Sequence, residues 1–180
     1  MGRDASTHPI HGLARLVSLV QQDPDGQIVT LNVGDEIAFG PENFQVSPTA
    51  IAQRTKWALA ATDAGHLNNR STLALSGGEK QKTVLAAFLA VRAPILLFDE
   101  PTARLDPPTA RDLVTNLHQL NRRQRVTIVV VEHRLHYFLP FVTRCLLMNN
   151  GRLVYDGLPA AAEKKRTLLR RLGVSPTPLK

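Results

Sequence analysis

The chain has 180 residues, with 22 Lys and Arg against 15 Asp and Glu, a formal net charge of +7. Hydrophobic residues make up 43% and charged residues 21%, which excludes a disordered or collagen-like chain and supplies enough apolar side chain for one domain or a compact pair of subdomains. The single cysteine, Cys145, excludes an internal disulfide and a Cys-rich zinc site, and no apolar run is long enough to span a bilayer. The segment Met1–Ile10 is polar and lacks the apolar stretch of a secretory signal, so a reducing cytoplasmic setting is expected.

In chain order, Leu16 to Val20 reads as a buried strand that runs into a polar turn, Gln21-Gln22-Asp23-Pro24-Asp25-Gly26. From Asp35 to about Leu67 the pattern is helical, with interruptions expected at Gly40-Pro41 and Ser47-Pro48. Within it Ile51, Thr55, Ala58, Leu59 and Thr62 share one face, and Trp57 reads as helix packing. Ser76 followed by Glu79 is a capping-box pattern, opening a helix with Val84, Leu85, Phe88 and Leu89 on its apolar side. Ile95 to Phe98 is a wholly apolar run, as for a parallel strand buried on both faces, and it ends in Asp99-Glu100-Pro101. Asp106-Pro107-Pro108 reads as a helix start, and Leu113, Val114, Leu117 and Leu120 give that helix its stripe. Val126 to Val131 is a further buried strand delivering Glu132 and His133. Leu146–Met148 and Leu153–Tyr155 form a hairpin across Asn149-Asn150-Gly151, and a basic helix from about Pro159 to Leu172 closes the chain.

Strands alternating with helices predict an α/β sheet with right-handed crossovers, whose ligands bind beyond the C-terminal strand ends. Asp99, Glu100 and His133 fall there. Adjacent acids after an apolar strand are costly to desolvate unless they meet a cation or polarise water: one can hold Mg²⁺ through water, the other can orient or deprotonate an attacking water. Ser76-Gly77-Gly78 at a helix N-terminus suits a phosphate, since glycines permit close backbone approach and the helix dipole favours an anion. Each of these has a bland counterpart: solvated acids, a plain helix cap, a structural histidine. His8 and His11 read as a polar terminus rather than a metal site. The basic clusters, Arg122-Arg123-Arg125, Lys164-Lys165-Arg166 and Arg170-Arg171, have no interleaved aromatics, and aromatics are only 5% of the chain. Solvated faces therefore explain them better than nucleic acid, with a surface approaching anionic lipid headgroups as a second possibility.

Together these segments say more. LSGGEKQK (Leu75–Lys82), ILLFDEPT (Ile95–Thr102), Leu105-Asp106 and VVVEH (Val129–His133), in this order, resemble the ATP-binding cassette (ABC) ATPases. QDPDGQ (Gln22–Gln27), DEIAFGPEN (Asp35–Asn43) and GRLVYDG (Gly151–Gly157) are similar to the energy-coupling-factor branch, whose ATPases power uptake of vitamins or transition-metal ions. The resemblance covers about Leu16 to Leu158. It implies ATP and Mg²⁺ as cofactors, with Gln22 sensing Mg²⁺ and nucleotide. Ser76, Gly77 and Gly78 would form the signature contacting the γ-phosphate of ATP on the opposite subunit. Asp99 would be the Mg²⁺-associated acid, Glu100 the catalytic base, Asp106 part of the loop linking two composite sites, and His133 the switch histidine. A helical subdomain over about 33–74 would dock on a transmembrane component, and 159–180 would be a basic C-terminal helix and tail. The implied partners are a second ABC ATPase subunit, a transmembrane energy-coupling component and a substrate-binding membrane component, at the cytoplasmic face of the membrane. No nucleic acid is expected.

The resemblance is incomplete. A P-loop reads G-x-x-x-x-G-K-[ST], and none of the 11 glycines is followed by lysine. The expected fold is thus an α/β, P-loop NTPase-like ABC ATPase core with a helical subdomain but without its N-terminal Walker A strand and loop. The absent strand is expected beside the Asp99 strand, leaving an open edge, apolar faces and poor solubility. Such a chain would be inactive alone. It would be the C-terminal part of an energy-coupling-factor ATPase, or a non-catalytic subunit donating its signature to another ATPase. A DNA-maintenance ATPase of the SMC type is a distant alternative, since no heptad tract is present. Smaller departures are Lys82 in place of arginine, Arg104 in place of a small residue, and Glu132 and Arg134 flanking His133.

Overall fold

The computed structural model describes residues 4–103 and 105–174; Arg104 and the end of the 159–180 segment lie outside the described residues. The chain divides into two compact units, Met1–Val131 and Glu132–Lys180.

In the first unit, α1 (Ile10–Ala14) precedes strand β1 (Val17–Val20). Three helices follow, α2 (Val33–Asn43), α3 (Pro48–Ala61) and α4 (Gly77–Val91), then β2 (Ile95–Asp99), α5 (Pro107–Gln124) and β3 (Thr127–Val131). The strands form a parallel sheet in the order β1-β2-β3. Val17, Ile95 and Thr127 are level, as are Val20, Phe98 and Val130, and Asp99 lies opposite Val131. Helix α4 packs on β1, α2 and α3, and α5 packs on β3. Val20, Leu96, Phe98, Val84, Leu85 and Leu89 are buried, and so is the stripe Leu113, Val114, Leu117 and Leu120.

Two expectations about the sheet are corrected. The strands are not buried on both faces: Leu96 and Phe98 are buried, but on the alternate positions Leu19 and Val129 are 46% exposed and Val131 is 59% exposed. Side chains alternate across a strand, so an apolar sequence can still present one face to solvent. Nor can another strand lie beside the Asp99 strand, because β2 is already paired along both edges. The unpaired edges, among the described residues, are those of β1 and β3.

The helical stretch also differs in detail. Gly40-Pro41 does not interrupt it; Pro41 sits buried inside the last turns of α2. Near a helix C-terminus proline forfeits one backbone bond, and its fixed φ already suits the helix. The break comes after Asn43, where Gln45 takes φ +57°, and Ser47-Pro48 starts α3 as expected. Gly40 has a packing role: a Cβ there would lie 2.7 Å from Val91 Cγ2, so its absence lets α2 approach α4. Trp57 is half-buried, with the Arg92 guanidinium 5.8 Å from its ring centre.

In the second unit, β4 (Cys145–Asn149) and β5 (Arg152–Gly157) form the expected antiparallel hairpin. Asn150 (φ +45°) and Gly151 (φ +73°) make its two-residue turn, the left-handed pair that matches strand twist. The basic C-terminal helix is two short ones, α6 (Pro159–Glu163) and α7 (Arg166–Arg171). The break at Lys164-Lys165 lets Ala162 and Leu169 both pack on Cys145 and Leu147, giving this unit its own small core. No helix among the described residues is long and apolar enough to cross a membrane.

Candidate functional site

The C-terminal end of β2 places the two acids. Asp99 is its last residue and is exposed. Glu100 leaves the strand with φ +45°, a costly backbone state for a non-glycine residue, held by its N–H bonding the Val131 carbonyl at 2.8 Å. The Gln22 side chain, at the C-terminal side of β1, reaches across: its Nε2 donates to Glu100 Oε2 at 2.9 Å. The parallel register therefore brings Gln22, Asp99 and Glu100 to one sheet end.

The loop carrying Gln22 is braced from within. The Gln27 side chain accepts from the Gln21 N–H at 2.8 Å and donates to the Leu19 carbonyl at 3.0 Å, closing the loop on β1. Asp23 accepts from the Asp25 N–H at 3.1 Å. Asp25 in turn pairs with Lys80 on α4. Asp25, Gln27 and Lys80 received no role from sequence. The first two lie inside the QDPDGQ segment, but Asp25 and Lys80, 55 residues apart, leave no local signal of their pairing.

Helix α4 starts as its sequence predicts. Ser76 Oγ accepts from the Glu79 N–H at 3.3 Å, and Glu79 Oε2 accepts from the Ser76 N–H at 2.8 Å. Hydrogen bonding of its carboxylate with the Ser76 backbone N–H and side chain holds the Glu79 carboxyl below its ordinary value, and Arg70, 2.8 Å from Glu79 Oε1, adds to the effect. Ser76 and Gly77 are exposed, and nothing stands within 4 Å of where a Gly77 Cβ would be. At Gly78 a Cβ would meet Thr109 Cγ2 at 3.6 Å, ordinary contact. Asp106 caps α5, accepting from the Thr109 N–H at 3.3 Å, and its bonds with Thr109 keep its carboxyl low. Pro107 and Pro108 follow as the first helical residues.

His133 belongs to the second unit, Glu132–Lys180. Its backbone N–H and that of Arg134 donate to Glu132 Oε1 at 2.9 and 3.0 Å, so Glu132 folds the chain into a turn there.

This donor set is all oxygen. Among the described residues no three His, Cys, Asp or Glu side chains gather as a metal cage. The carboxylates of Asp99 and Glu100 and the carboxamide of Gln22 at this strand end suit Mg²⁺, which takes oxygen ligands, retains waters and completes its shell with substrate phosphates. The signature turn offers an open backbone approach for an anionic oxygen.

A family model described as ABC transporter matches residues 2–103, more than half of the chain. The chain belongs to the ABC transporter family. A protein of Methanosarcina mazei, provisionally named an ABC transporter ATP-binding protein, is 36% identical over 176 residues, covering 97% of this chain and 30% of that protein. An energy-coupling factor transporter ATP-binding protein of Caldanaerobacter subterraneus is 32% identical over 162 residues, covering 90% of this chain and 58% of the relative. Among solved structures, CbiO1 of Clostridium perfringens, part of the ABC transporter complex CbiONQ, superposes with a TM-score of 0.83 at 28% identity, covering 94% of this chain and 68% of that one. The fold is thus the α/β ABC ATPase fold with its helical subdomain. The chain spans about a third of the length of the first curated relatives it matches.

Proposed function

We infer that this ABC family chain is the ATP-binding and hydrolysing component of an energy-coupling-factor-type importer, driving uptake of vitamins or transition-metal ions. The observation that carries this reading is the Gln22–Glu100 hydrogen bond beside Asp99 at the strand ends. Bound Mg²⁺·ATP would supply the phosphorus to be attacked. Glu100 accepts the proton of the attacking water, and Gln22, through its carboxamide, fixes which Glu100 oxygen does so. Asp99 and Gln22 would hold Mg²⁺; Ser76, Gly77 and Gly78 would offer donors to a γ-phosphate held by the opposite ATPase subunit. Asp106 would lie in the loop linking the two composite sites, and His133 would hold the γ-phosphate. The segment of about 33–74 docks on a transmembrane component, and Phe39 and Leu73, both exposed, give that segment apolar surface. The assembly includes a second ATPase subunit and a substrate-binding membrane component, at the cytoplasmic face of the membrane. The chain is inactive alone.

A second reading is favoured by one sequence fact: no glycine is followed by lysine, so no P-loop occurs in these residues. In that reading the chain is a non-catalytic subunit that lends its signature to an intact partner's ATP. The two readings separate in a complex reconstituted with a P-loop-bearing ATPase subunit and the membrane components. Ser76→Arg abolishes ATP turnover in both. Glu100→Gln lowers it only if this chain's own acids work. A chain that never enters the complex, or a complex indifferent to Ser76→Arg, overturns both.

A further inference from the structure

We propose that Asp25 and Lys80 are positioning residues: their ion pair ties the Gln22 loop to the signature helix, so that the glutamine facing Glu100 and the turn at Ser76 keep a fixed relation. The proposal rests on the reading above for what those two ends do, but its geometry stands apart from it.

The connection is continuous. Glu100 receives the hydrogen bond of Gln22 at 2.9 Å. Gln22 belongs to a loop whose neck is closed by Gln27, through Gln21 N–H at 2.8 Å and the Leu19 carbonyl at 3.0 Å. A short helical turn, Asp25–Gln27, forms the far side of that loop, with the Asp25 N–H held by Asp23. Asp25 then meets Lys80, in the first turns of α4 and four residues after Ser76. Lys80 is held from below as well, since its N–H bonds the Ser76 carbonyl at 2.9 Å.

Stability is not what this pair supplies. The Asp25 side chain is 57% exposed and that of Lys80 22% exposed. An ion pair so open to solvent contributes little to folding and is screened by salt. Its consequence is placement. A charge contact at the far side of the loop limits its freedom to pivot about β1. In a composite site the two ends serve different nucleotides, Glu100 its own and Ser76 the partner's. The pair joins them through one continuous set of contacts within one subunit.

The test is amide hydrogen exchange on the full chain at low protein concentration, which requires neither nucleotide nor activity. Asp25→Asn is expected to speed exchange two- to fivefold in the segment covering residues 19–28, the range set by an exposed ion pair. The segment covering α5 should be unchanged. The charge-reversed pair, Asp25→Lys with Lys80→Asp, should restore slow exchange, and 0.5 M salt should remove the difference between wild type and Asp25→Asn. Unchanged exchange in 19–28 overturns the proposal. So does a loss of protection spread over the whole unit, which would make the pair merely structural, and so does failure of the reversed pair to restore it when Asp25→Asn alone has an effect. None of these outcomes bears on whether the chain hydrolyses ATP, so failure here and failure of the transporter reading remain distinct.

Discussion

The Gln22 carboxamide and the Glu100 carboxylate, 78 residues apart in sequence, are joined by a hydrogen bond of 2.9 Å. It exists because parallel pairing of β1 with β2 sets Val20 level with Phe98, so that both following segments emerge at one end of the sheet. A hydrogen bond to a charged group contributes about 1.5–3 kcal/mol. In a reconstituted complex, Gln22→Ala should therefore lower kcat by roughly ten- to a hundredfold, with little change in nucleotide affinity. Glu100→Gln should lower it further, about 10²- to 10⁴-fold, the range for removing a general base. Steady-state turnover at saturating Mg²⁺·ATP checks both. Equal losses in the two variants would contradict the assignment of Glu100 as base.

Gly40 gives a prediction in which the sign of the effect changes with background. Alanine is better than glycine inside a helix by about 1 kcal/mol. A Cβ at position 40 would sit 2.7 Å from Val91 Cγ2, however, and overpacking of this kind costs about 1–3 kcal/mol. Gly40→Ala should be destabilising in the native chain and stabilising, by up to ~1 kcal/mol, in a Val91→Ala chain. Urea unfolding of the four variants in the cycle measures this.

Local signals in the sequence and non-local contacts in the structure divide cleanly here. Ser76 with Glu79, Asp106 with Pro107, and Asn150-Gly151 each carry their geometry within four residues, and all three form as expected. The acids at 99 and 100 were legible because an apolar strand must end before charge begins. What the sequence could not carry was partnership over distance. Asp25 with Lys80, 55 residues apart, depends on where separate segments meet. The exposure of Val129 and Val131 depends on which face of the sheet α4 and α5 cover, and an unbroken apolar run is silent on that. Pro41 misled for another reason: a proline near a helix end costs one backbone bond, which a buried packing position can offset.

The cap at Ser76 predicts an acid-sensitive contribution to stability. Glu79 is held below its ordinary value by its bonds to Ser76, so it favours the folded state while ionised in both states. That contribution is present above the unfolded-state value of 4.5 and is lost as the pH falls through the lower folded-state value. Glu79→Gln should flatten stability against pH in that acid window and leave its slope at neutral pH alone. Ser76→Ala, which removes one arm of the box, should cost about 0.5–2 kcal/mol at neutral pH. Thermal unfolding as a function of pH follows both.

The uncovered sheet face predicts self-association. Parallel sheets are ordinarily covered on both sides, yet Leu19 and Val129 stand 46% exposed on level positions of β1 and β3, separated by half-buried Leu97. An apolar strip of that kind, next to unpaired strand edges, is a template for intermolecular contact. Light scattering of the chain alone should show growth with concentration. Leu19→Thr with Val129→Thr should suppress it, because threonine suits a strand while carrying a hydroxyl to solvent. Both side chains are already half in water, so the double change should leave cooperative unfolding intact. Scattering that persists in the double variant would move the cause away from this face, to the edges of β1 and β3 or to exposed Val29, Leu31 and Leu73.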